Sequence, residues 1–148
     1  MRLSAWREAA PAKDGVSPKV SAVVDTVLAS LGAESDPHGF VVWGEEPSAR
    51  YTIMVPTGVG LVSVQVRVNV PGEGPRAHAK LVRWPKLQIG ELAIEMSGGH
   101  RVVNFQADTL ILNGRDEMAD RIAGFALVLI AAIDGRPWPS YEEPGAAT

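Results

Sequence analysis

From Val62 to Val70 the chain reads Val-Ser-Val-Gln-Val-Arg-Val-Asn-Val, with valine at every even position and Ser63, Gln65, Arg67 and Asn69 between them. This is the two-residue period of a β-strand with one dry face and one wet face. A helix would spread the valines around its whole circumference, and β-branched residues are poor helix formers. The chain therefore contains at least one long strand from a sheet covered on one side.

Other segments share that period. Phe40–Trp43 and Tyr51–Val55 precede the valine strand, and Arg76–Trp84, Leu87–Met96 and Arg101–Asp108 follow it. Ser97-Gly98-Gly99-His100 reads as a tight hairpin turn. The apolar parity changes across Gly90, the mark of a β-bulge. All the links are short, which favours antiparallel neighbours over crossovers. Parity places Val62, Val64, Val66, Val68, Val70, Ala77, Ala79, Leu81, Leu92, Ile94, Met96, Val103 and Phe105 on the inner side.

Helical signals flank the strands. Ser17 is a natural N-cap and Pro18 a natural first helical residue. Val20, Val23, Val24, Val27, Leu28 and Leu31 then form one stripe, and Gly32 stands where a left-handed cap belongs. A last helix is expected from about Arg115 to Ile133, stopped by Asp134, Gly135 and Pro137. Leu3–Ala9 reads as one short helix. The expected fold is α+β: a two-layer sandwich, an antiparallel meander of about six strands with the N-terminal and C-terminal helices on one face. The 148 residues suit a single domain over 1–148. It divides into an N-terminal segment 1–16, a globular core 17–135 and a Pro-rich C-terminal tail 136–148.

Composition narrows the function. Without cysteine there is no disulfide framework, thiolate metal site or cysteine catalysis. The formal net charge of −3 offers no global field for nucleic acid. The start of the chain does not read as a signal peptide. The most apolar window, 123–133, has 11 residues, where a membrane span needs about 20. A cytoplasmic location, with no membrane association, is the expectation.

Chemistry-bearing patterns are sparse. His38, His78 and His100 lie far apart and show no metal-ligand spacing. No metal, cofactor or catalytic residue is therefore expected. Glu91 and Glu95 are about 13 Å apart on an extended strand, too far for a glycosidase pair, and are read as partners for Lys80 or Arg101. Ser97 and His100 lack a third orienting group. Arg76, His78, Lys80, Arg83 and Lys86 make a basic strand around Trp84, but Glu91 and Glu95 on the next strand oppose phosphate.

The sharper signal is apolar. Phe125, Leu127, Val128, Leu129 and Ile130 cover nearly the full circumference of the last helix, so more than one side must be covered. A partner protein, a second copy in a homodimer, or the Pro137-Trp138-Pro139 segment folding back would supply the cover. Phe125, Leu129 and Trp138 are the candidate partner-binding residues. Trp6 and Trp138, in terminal segments, read as anchors.

No motif assigns the chain to a family. Its layout alone is similar to that of secretion-chaperone-like domains, which implies a chaperone-like adaptor by fold analogy. The function expected is a non-catalytic protein-binding or adaptor module. The alternatives are a small-molecule-binding protein or small enzyme with an apolar pocket between the C-terminal helix and the sheet, and a single-strand nucleic-acid binder using the 76–86 strand.

Overall fold

A computed structural model describes residues 1–9, 18–34, 36–42, 50–67, 72 and 76–139. The readings that involve Ser17, Trp43 to Ser48, Val68 to Pro71, residues 73–75 and residues 140–148 lie outside them. The fold is α+β with antiparallel sheets. The chain divides into two compact units, Met1–Val82 and Arg83–Thr148.

The first unit holds α1 (Leu3–Ala9), α2 (Pro18–Ser30) and the strands β1 (Phe40–Val42), β2 (Arg50–Pro56), β3 (Gly60–Arg67) and β4 (Arg76–Arg83). The strands form one sheet in chain order. Tyr51 pairs with Val66, Ile53 with Val64 and Val55 with Val62. Directly opposed residues share a face, so these six side chains form one row, and all are buried. The helix α2 packs against β3, with Val24 and Leu28 buried.

The opposite face is not uniformly wet. Phe40 pairs with Met54 on that side, and Trp6 of α1 meets Phe40 edge-on with ring centroids 5.3 Å apart. The Trp6 indole N–H donates to the Gly39 carbonyl at 3.0 Å, and the ring is fully buried. Trp6 is thus an anchor onto the protein itself. Gln65 and Arg67 on this face are exposed to solvent.

The C-terminal cap of α2 forms as its sequence implies. Gly32 has φ +78°. The Gly32 N–H donates to Ala29 and the Ala33 N–H to Leu28, the paired bonds of a Schellman cap.

The second unit holds β5 (Ile89–Ser97), β6 (His100–Ala107), β7 (Leu110–Arg115) and α3 (Glu117–Ile133). Its strands make a separate three-stranded sheet, ordered β5-β6-β7. The expectation of one six-stranded meander with both helices on one face is therefore corrected. There are two sheets; α2 packs on the first, while α3 packs on β6 and β7 of the second. The reason lies at Trp84-Pro85-Lys86, a 3-10 turn closed by the Leu87 N–H onto Arg83 and Trp84. Proline has no N–H for a ladder, so the chain leaves the first sheet there.

The strand β7 is a further correction, since its last residue was assigned to the helix. Asn113-Gly114, a pair favoured in hairpin turns, lies inside the strand, Asn113 opposite Asn104 and Gly114 opposite Val103. The expected bulge is present, as a register shift between Ile89 and Leu92. Gly98 and Gly99, with φ +58° and +80°, make the hairpin that joins β5 to β6.

Candidate interaction surface

The β5–β6 register sets the surface. Leu92 lies opposite Phe105, Ile94 opposite Val103 and Met96 opposite Arg101. Phe105 also faces Leu112, and Val103 faces Gly114. These residues share the sheet face on which α3 lies. Gly114 permits the close approach of α3: a Cβ there would stand 2.6 Å from Met118 Cγ and 2.8 Å from Ile122 Cδ1.

Cover does not extend evenly across that face. Val103, Phe105 and Leu112 are buried, but Ile94 is 64% exposed and Met96 68%. Parity placed Ile94 and Met96 on the right side, but the expectation that they are core is overturned, because α3 sits over β6 and β7. On α3, Leu127 is 50% exposed. The edge strand β5 thus carries an apolar row without full cover, a feature typical of interaction sites.

The three residues singled out on the last helix and tail have different surroundings. Phe125 and Leu129 are buried, with Ala126, Val128 and Ala131. Beyond α3 the Arg136 N–H returns to the Ala131 carbonyl at 2.9 Å and reverses the chain. Trp138, 40% exposed, then meets the buried Trp84 edge-on, centroids 6.3 Å apart. The 136–139 segment therefore folds back onto the 3-10 turn.

A polar bracket closes the other end of this sheet. His100 Nδ1 lies 2.7 Å from Asp116 Oδ2, and the Arg101 N–H donates to Asp116 Oδ1. The Asp116 N–H returns to the Arg101 carbonyl. These bonds, from the His100 side chain first and the Arg101 backbone second, hold the Asp116 carboxyl below its ordinary range. Arg101 forms a two-pronged pair with Asp120, which raises its pKa further. Arg101 thus faces Asp120 and not Glu91 or Glu95, as the sequence suggested.

Asp116 is an orienting carboxylate for His100 that sequence reasoning missed, and no local spacing signals a contact made through strand pairing. Ser97 is the ladder partner of His100 at the hairpin, while the His100 ring turns to Asp116. The geometry of the bracket is that of a brace.

The basic strand is β4, where Arg76, His78, Lys80 and Arg83 are exposed. Arg67, Arg76, His78 and Gln65 line an open cleft of about 410 Å³. Trp84 is buried and leaves no ring face for a base to stack on.

Among the described residues no cluster of three His, Asp or Glu side chains is placed to hold a metal ion. None of their helices is long and apolar enough to cross a membrane. No protein-family model matches the chain, and no curated protein or solved structure matches it either.

Proposed function

We propose that this protein is a non-catalytic protein-binding or adaptor module. The reading rests on one observation: Ile94 and Met96 stand exposed on an edge strand, on the sheet face that α3 covers elsewhere. Such a strand offers a partner backbone hydrogen bonds along its edge and apolar contacts on one face. Leu127 and Trp138 are further exposed apolar side chains in the same unit. The absence of cysteine suits a reducing compartment such as the cytoplasm.

A photo-crosslinking amino acid in place of Met96, with Gln106 as the control, tests the proposal. Gln106 is exposed on the opposite face of the central strand. Illumination in the native host should give discrete protein adducts from position 96 and not from 106. Equal labelling at both positions, or none at 96, would overturn the reading.

A further inference from the structure

We propose that the partner for β5 is a second copy of the chain, paired antiparallel through β5 about a two-fold axis at Ile94. This rests on the protein-binding reading and names the partner. The two outer strands of the second sheet are unequal. On β7, Gly114 lies directly under Met118 and Ile122 of α3. On β5, the inward side chains Ile94 and Met96 stand exposed. Between Glu91 and Ser97 there is neither proline nor lysine, two residues that commonly protect an edge.

The register follows from the charges. An isologous pair with both α3 helices on one side must oppose residues that point to the same face, so the axis passes through a residue and its own counterpart. Three such registers centre on the middle of β5. Centring on Ala93 sets Glu91 against the partner's Glu95, twice. Centring on Glu95 sets that carboxylate against itself. Like charges directly opposed across strands are destabilising. Centring on Ile94 avoids both: Ile94 meets its counterpart, Met96 meets Leu92, Glu95 meets Ala93 and Glu91 meets Ser97. The apolar row then runs unbroken across a six-stranded sheet.

Because the chain contains no cysteine, single cysteines report this register in the full-length protein. Ile94→Cys places two thiols on Cα atoms about 4.5–5.5 Å apart, within disulfide reach. Ala93→Cys and Glu95→Cys place theirs on a diagonal of about 7–8 Å, at or beyond it. Mild oxidation should give a covalent dimer of Ile94→Cys at least about tenfold faster than of the other two.

Sedimentation equilibrium supplies the second readout. Ala93→Glu would oppose Glu95 twice by symmetry and should weaken dimerisation about tenfold, whereas Ala93→Lys should not weaken it. A monomer at all concentrations, cross-linking that is equal or faster at 93 or 95, or equal effects of the glutamate and lysine variants would each overturn the inference. Photo-adducts to a different protein alongside a monomeric chain would sink this inference and leave the binding function standing.

Discussion

Trp138 meets Trp84 edge-on, with the ring planes at 81° and the centroids 6.3 Å apart. The contact ties the chain beyond α3 to the 3-10 turn that precedes β5. Edge-to-face aromatic pairs contribute about 0.5–1.5 kcal/mol beyond their buried area. Trp138→Ala should therefore lower stability by about 1 kcal/mol and shift Trp84 emission to the red. A chain ending at Gly135 should lose a similar amount. Chemical melts followed by fluorescence check both, and an unchanged midpoint in both variants would show that the fold-back contributes nothing to stability.

Val66 and Arg67 are neighbours with opposite fates. Val66 is fully buried in the valine row, and Arg67 is exposed opposite Arg50. Val66→Asp should cost several kcal/mol, on the order of unfolding the unit, because it buries an unpaired charge. Arg67→Asp should stay within about 0.5 kcal/mol. Urea melts of the pair decide the matter; equal losses would contradict the burial of the row.

The Asp116 carboxyl, held below its ordinary value of 3.8 by His100 and Arg101, gives an acid-dependent contribution to stability. The folded chain binds this proton less readily than the unfolded chain. The contribution is therefore present above the unfolded value and is lost as pH falls through the lowered one. Stability followed from about pH 5 to pH 2 should fall more steeply in the native chain than in Asp116→Asn. Asparagine is the right substitution because φ at this position is +54°, which Asn tolerates better than most residues. Parallel curves would rule out the proposed linkage.

Gly114 has no room for a methyl group between β7 and α3. Gly114→Ala should lower stability by about 1–3 kcal/mol through overpacking. Met118→Ala in the same chain should recover part of that loss, since the nearest obstructing atom is Met118 Cγ. A double-mutant cycle measures the recovery; strict additivity would mean that the two residues do not share the space.

Much of the local structure was legible. The alternation of Val62, Val64 and Val66 implied a strand, Gly32 a left-handed cap and Gly90 a bulge, and each is found where expected. Each is a property of a few consecutive residues, where backbone sterics and periodicity decide the outcome. The strand β7 was not legible, because Asn113-Gly114 carries a turn signal that pairing with β6 overrides. The partner of His100 was not legible either, since Asp116 reaches it only after β7 has aligned with β6.

By itself the sequence determined the α+β class, the antiparallel habit of the strands and the side of the sheet on which Leu92, Ile94 and Met96 lie. Side-chain parity is covalent in origin: successive residues of an extended chain must point to opposite faces. Only the tertiary structure decided that the strands divide into two sheets and that α3 lies over β6 and β7. It also decided that the inward residues of β5 remain exposed. Parity says which way a side chain points, but cover depends on where a helix distant in sequence comes to rest. That position was set by packing across the sheet, at contacts such as Gly114 with Met118 and Ile122, which no local pattern encodes.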